Sequence, residues 1–303
     1  MIEFMKVTKN FSEVIGVQDL NLRIEQGEIF GLVGPDGAGK TTTIRLMLGL
    51  LKNFTGKITV LGTENIERIK GRFGYVPQRF SLYQDLSVLE NIELIGALYG
   101  VKSSEIQEKA EEILTFTGLW EFRHRLSGNL SGGMKQKLAL AAGLMHKPEV
   151  FFLDEPTTGV DPVARREFWQ LLYELNKTGM TIIVATPYMD EAELCHRVVL
   201  MKDGSLVSCA TPNQLIENYP YKILSLETPM KDERVLSELL KFIVLDINSF
   251  GEKYHLIVKD DKVAKKAIQD TLVNHKIAIN RLEKITPCLE DVFVAIAHMG
   301  GEK

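Results

Sequence analysis

IFGLVGPDGAGKTTTIRLMLGLL, residues 29–51, decides the fold. The apolar run Ile29 to Val33 reads as a buried strand, and the residues from Thr41 onward read as a helix. Between them GPDGAGKT matches G-x-x-x-x-G-K-[ST] in full, in the strand–loop–helix setting that this motif requires. Glycines at these places let backbone N–H groups close around phosphates without Cβ clashes. In this reading Gly34, Pro35, Asp36, Gly37, Ala38, Gly39, Lys40, Thr41 and Thr42 form the binding loop. Lys40 reaches the β- and γ-phosphates and the Thr41 hydroxyl holds Mg2+. Asp36 is out of place beside phosphates, so its carboxylate is expected to turn away and bond the loop backbone.

Two further stretches supply complementary chemistry. VFFLDEP, residues 150–156, is an apolar strand with two carboxylates at its end. Asp154 suits a Mg2+ water shell, and Glu155, on the other face, suits proton acceptance from an attacking water. NLSGGMKQKLALAAGL, residues 129–144, places an N-capping serine and two glycines before a long helix. Open backbone N–H groups at such a helix start make a second anion site.

In combination and order, these motifs resemble the nucleotide-binding subunits of ABC transporters, over about residues 2–217. LSGGM corresponds to the family signature LSGGQ, with Met134 in the last place and Ser131, Gly132 and Gly133 retained. The resemblance implies that Gln78, in YVPQ, senses Mg2+ and water and contacts the membrane partner. Asp161, in TTGVDP, matches the family's D-loop aspartate; it also reads as a helix N-cap ahead of Pro162. Phe11 lies at the usual distance before the loop to stack on adenine, although a core aromatic is the ordinary reading. The resemblance further implies ATP as ligand and a head-to-tail pair of domains. In such a pair the loop of one subunit is covered by Ser131 to Gly133 of a second ATP-binding subunit, identical or different. The single-domain chain, TTGVDP and TPCLEDVF look most like ATPases of ABC-2 exporters. That implies an integral membrane permease as partner and a cytoplasmic, peripheral location on the inner face of the cell membrane.

One position departs from the family pattern. In IIVATPYMDEAE, residues 182–193, Pro187 stands where a histidine usually bonds the γ-phosphate and helps hold the catalytic glutamate and its water. His196 is expected farther along the following helix, too distant to substitute. Two outcomes stay open: slow hydrolysis through Lys40, Glu155 and Gln78, or an ATP-binding subunit that relies on a partner's intact site.

The remaining pattern predicts an α/β P-loop NTPase core at 1–220, with an antiparallel β subdomain near its start and a helical subdomain at about 86–146. Apolar strands separated by helices favour a parallel sheet in that core. RVVLMKDGSLVSCA reads as a hairpin turning at Asp203-Gly204. Residues 221–303 read as β-α-β-β-α-β with a final helix, a small α+β C-terminal domain of ferredoxin-like type. The chain has 303 residues and a formal net charge of -4, which leaves no basic footprint for nucleic acid. Its three cysteines are scattered and suit reduced thiols rather than a disulfide frame. No apolar run is long enough to span a bilayer, so action at a membrane is expected through a partner.

Overall fold

The computed structural model describes residues 1–299, and the chain divides into two compact units, Met1–Thr211 and Pro212–Lys303. In the first unit the chain runs β1 (Ile2–Phe11), β2 (Val14–Ile24), β3 (Ile29–Val33), α1 (Lys40–Met47), β4 (Thr55–Val60) and β5 (Phe73–Val76). Then come α2 (Val88–Leu98), α3 (Ser103–Phe116), α4 (Gly132–Leu144) and β6 (Val150–Asp154). The unit ends with α5 (Pro162–Lys177), β7 (Thr181–Thr186), α6 (Met189–Ala192), β8 (Arg197–Lys202) and β9 (Ser205–Ala210).

Its central sheet has six strands in the order β5-β6-β7-β3-β8-β9. All neighbours are parallel except β8 and β9. Every residue of β3, β6 and β7 is buried, which is why these strands read as continuous apolar runs rather than alternating ones. The β8–β9 turn sets Asp203 and Gly204 at φ 48° and 76°, the left-handed pair that a type I′ hairpin requires. A separate antiparallel sheet, β2-β1-β4, accounts for the period-two stretches near the start.

The α2–α4 region builds its own core from Val88, Ile92, Leu114, Leu138 and Met145, among others. Ser87 opens α2 with a reciprocal capping box: its hydroxyl accepts from Glu90 N at 3.2 Å, and Glu90 Oε2 accepts from Ser87 N at 2.7 Å. Ser131 caps α4 by accepting from Met134 N, and Asp161 caps α5 with Pro162 in the first position.

In the second unit α7 (Pro212–Glu217) precedes β10 (Lys222–Glu227), α8 (Glu233–Leu240), β11 (Asp246–Phe250), β12 (Lys253–Val258), α9 (Asp261–Asn274), β13 (Arg281–Ile285) and α10 (Leu289–Met299). The sheet order is β11-β12-β10-β13, antiparallel throughout. The division falls before Pro212 rather than at Pro220. The helix α7 packs against α10 and so goes with the second unit. Among the described residues no helix is long and apolar enough to cross a membrane.

Candidate functional site

The loop after β3 is fixed at both ends. Gly34 N donates to Thr186 O at 3.4 Å, at the end of β7. A Cβ on Gly34 would lie 2.3 Å from Met201 O, so only glycine fits there. Gly37 and Gly39 have φ 82° and 100°, and the second of these turns the chain into α1 with no side-chain cap. The helix start therefore presents free backbone N–H groups and its positive dipole end.

Lys40 is 4% exposed and folds back over the loop. Its Nζ donates to Gly34 O at 2.8 Å and Pro35 O at 3.1 Å, and lies 3.1 Å from Glu155 Oε1. The next residue, Thr41, donates its hydroxyl to Asp154 Oδ1 at 2.9 Å. Burial pushes the Asp154 carboxyl above its usual range, and the Thr41 bond pulls the other way. Hydroxyl and carboxylate oxygens suit a hard cation that keeps waters and shares phosphate oxygens, as Mg2+ does. Among the described residues no cluster of three or more His, Cys, Asp or Glu side chains could cage a metal by itself. A cation here would thus depend on the phosphates for the rest of its shell.

Glu155 follows β6 directly. Its N donates to Ala185 O at 2.9 Å, and its φ is 51°, a left-handed backbone uncommon outside glycine. The carboxylate divides its two oxygens: Oε1 faces Lys40, and Oε2 accepts from Gln78 Nε2 at 2.9 Å. The Gln78 amide, beyond β5, thus reaches the group expected to take a proton.

Glu155 and Gln78 border one cleft of about 480 Å3, together with Phe11, Asp36 to Thr42, and Val14, Ile15 and Gly16; Gly34, Pro35 and the buried Asp154 do not line it. Val14, Ile15 and Gly16 were not singled out from sequence. The available signal was Gly16 inside a strand, which marks a close approach. A Cβ there would sit 2.6 Å from the Phe11 ring. Phe11 is 43% exposed, so its ring is no core aromatic, and Lys9 Nζ lies 5.1 Å from its centroid.

Other expected residues lie outside this cleft. Ser131 and Gly132 are exposed, Gly133 is buried with no room for a Cβ beside Ala164, and none of the three lines the cleft. Asp161 spends its Oδ1 on Val163 N and Ala164 N, at 3.1 and 3.0 Å. Two expectations fail. Asp36 forms no hydrogen bond to the loop backbone among the described residues; it is exposed at the cleft, where water solvates its charge. His196 is not on a helix, because α6 stops at Ala192. It sits at the opposite end of β3 from the loop, its Nδ1 accepting from Ile29 N at 3.0 Å. Five residues of strand, about 16 Å, separate it from Gly34.

The ABC transporter family pattern matches residues 17–158, from β2 through the carboxylate pair. The chain is 34% identical to the Nod factor export ATP-binding protein I of Rhizobium sp. (strain N33), across 100% of its own length and 98% of that protein's. The chain belongs to the ABC transporter family. This ABC chain is also 40% identical, over 94% of its length, to the probable multidrug ABC transporter ATP-binding protein YbhF of Escherichia coli (strain K12). It spans only 49% of that relative. Among solved structures, the ABC chain resembles the dimeric, post-hydrolysis ATP-binding cassette MJ0796 bound to ADP and Pi. The TM-score is 0.64 at 28% identity, over 70% of this chain and 98% of the cassette.

Proposed function

We propose that this chain binds and hydrolyses ATP to power an integral membrane permease of the ABC-2 exporter type. The observation that carries the reading is the convergence of Lys40, Thr41, Glu155 and Gln78 on one cleft, with Asp154 bonded to Thr41 behind it. Relatives named for multidrug transport and Nod factor export support the exporter class.

In this mechanism the loop N–H groups and Lys40 bind the β- and γ-phosphates, and Phe11 stacks on the adenine. Thr41 and Asp154 would hold Mg2+, which would neutralise charge on the phosphate oxygens. Glu155 accepts a proton from the attacking water, and Gln78 orients the carboxylate that does so. The exposed Ser131 and Gly132, with Gly133, cover the loop of a second ATP-binding subunit, and Asp161 lies at that junction. The dimeric state of the similar cassette supports this arrangement. The chain would act peripherally at the cytoplasmic face, through the permease and without nucleic acid.

Pro187 favours a second reading, in which this subunit binds ATP but hydrolyses it weakly and depends on a heterodimer partner. The deciding measurement is Mg2+-dependent phosphate release by the purified chain beside Lys40→Ala and Glu155→Gln. Turnover well above both variants supports the first reading. Nucleotide binding without turnover supports the second, and loss of neither property in Lys40→Ala would refute both. Copurification from membranes then identifies the permease.

A further inference from the structure

Glu191 lies on α6 and takes no place in the cleft, yet it is among the most enclosed charges in the first unit, 1% exposed. Its carboxylate accepts two hydroxyls from different loops. Thr157, just beyond Glu155, donates to Oε1, and Thr186, the last residue of β7, donates to Oε2 at 2.6 Å. Arg165 on α5 brings the balancing charge, with Nε 3.5 Å from Oε1. The same guanidinium contacts Asp190 at 3.2 Å and stacks 4.5 Å over the Tyr188 ring.

Both threonines adjoin the reacting groups. Thr186 carbonyl oxygen accepts from Gly34 N, at the start of the phosphate loop, and its hydroxyl accepts from Tyr188 N at 3.1 Å, across Pro187. Thr157 follows a residue pair whose first member, Glu155, is held at φ 51°. A non-glycine residue in that region is strained and persists only where its surroundings over-determine it. Burying a carboxylate is itself costly unless hydrogen bonds and a countercharge satisfy it. Glu191 meets both conditions, and its two hydroxyl partners, Thr157 and Thr186, flank the segments that carry Glu155 and Pro187.

We propose that Glu191 is a positioning residue for hydrolysis: by tying Thr157 to Thr186, it holds Glu155 in its strained backbone, aimed at Lys40 and Gln78. This rests on the ATPase reading above for its kinetic consequence, while the tie between the loops does not depend on it. A displacement of about 1 Å at a reacting group costs roughly 100-fold. Nucleotide binding draws on the loop and Phe11, which Glu191 does not touch.

The test compares wild type, Glu191→Ala and Glu191→Gln in full-length protein, by steady-state ATPase kinetics, ATP affinity and amide hydrogen exchange. In Glu191→Ala, kcat falls by roughly 10- to 100-fold while KM and ATP affinity stay within about twofold. Exchange rises together at residues 155–161 and 186–190. Glu191→Gln recovers most of kcat, because an amide can accept one threonine hydroxyl and donate to the other. Equal kcat in wild type and Glu191→Ala, or loss of KM and kcat together without rescue by Gln, overturns the proposal. Should wild type itself not hydrolyse ATP, the ATPase reading fails instead, and exchange still decides on the tie. Unchanged exchange, or a rise in one loop alone, ends it.

Discussion

Lys40 and Glu155 form an ion pair at 3.1 Å, with side chains 4% and 7% exposed. At such burial, removing one partner leaves a charge that neither water nor a neighbour fully satisfies. Lys40→Ala strands the Glu155 carboxylate, with Gln78 as its nearest remaining donor. The expected cost is about 3 kcal/mol, or roughly 6–12 °C in the melting midpoint of the nucleotide-binding unit. Glu155→Gln costs less, because Lys40 keeps the Gly34 and Pro35 carbonyls. Thermal melts of both single variants and the double variant check this: the double loses less than the sum of the singles.

Phe11 offers a second, independent handle on the cleft. Its half-open ring borders the cavity, and Gly16 lies close against it. Base–aromatic stacking is worth about 1–3 kcal/mol, so Phe11→Ala should weaken ATP binding roughly 5- to 150-fold, while Phe11→Trp retains affinity. Because stacking does not read base identity, ATP and GTP should lose affinity alike. Titration with fluorescent nucleotide analogues measures it. Equal affinities in wild type and Phe11→Ala would return Phe11 to a structural role.

The two halves of this site differ in how they announce themselves. The loop and the VFFLDE strand are local: glycine geometry, helix start and apolar run all lie within a few residues, so spacing alone predicts them. The same holds for Asp161 and Ser131, where a cap and the helix it opens are neighbours. What escaped were relations across long separations. Val14 to Gly16 border the cleft only because β1 and β2 fold as a hairpin beside the loop. Glu191 meets Thr157, which lies 34 positions earlier in the chain, after a different strand. His196 leaves the helix because α6 ends at Ala192 and the chain pairs with β3, His196 N donating to Ile29 O at 2.9 Å. Pattern periodicity carries no term for such bonds.

His146 gives a pH-dependent prediction. Its Nε2 lies 2.8 Å from Phe73 O, its ring stacks on Tyr99 at 3.9 Å, and its buried Nδ1 has no partner. Burial pushes its pKa below 6.5, with the Phe73 carbonyl pulling the other way. A lowered histidine pKa means that the fold favours neutral imidazole. Its contribution is therefore present above the unfolded pKa and lost as pH falls through the folded one. Melting midpoints should drop as pH falls below about 6.5 in wild type, and less in His146→Gln, whose amide can still donate to Phe73 O. The Glu149 carboxylate, held below its ordinary range by Arg72, does not contribute to the onset of this loss. Parallel curves for the two proteins would assign the acid loss elsewhere.

Pro187→His tests whether position 187 limits hydrolysis. The turn that carries it is held by neighbours, Tyr188 N on Thr186 Oγ1 and Thr186 on Glu191, so a new side chain there inherits a fixed backbone. Position 187 follows directly on Thr186, whose carbonyl bonds the start of the phosphate loop. An imidazole there gains a donor directed at the γ-phosphate, where a single preorganised donor is worth about 100- to 1,000-fold in kcat. Part of that is lost to imperfect placement, so a gain of at least roughly tenfold is expected, with ATP affinity nearly constant. Pro187→Ala separates the imidazole from mere removal of the ring, and Pro187→His combined with Lys40→Ala should show no gain. Single-turnover phosphate release is the measurement, since it isolates the chemical step. If Pro187→His and Pro187→Ala hydrolyse ATP at the same rate, the imidazole adds nothing and the proline is not what limits this site.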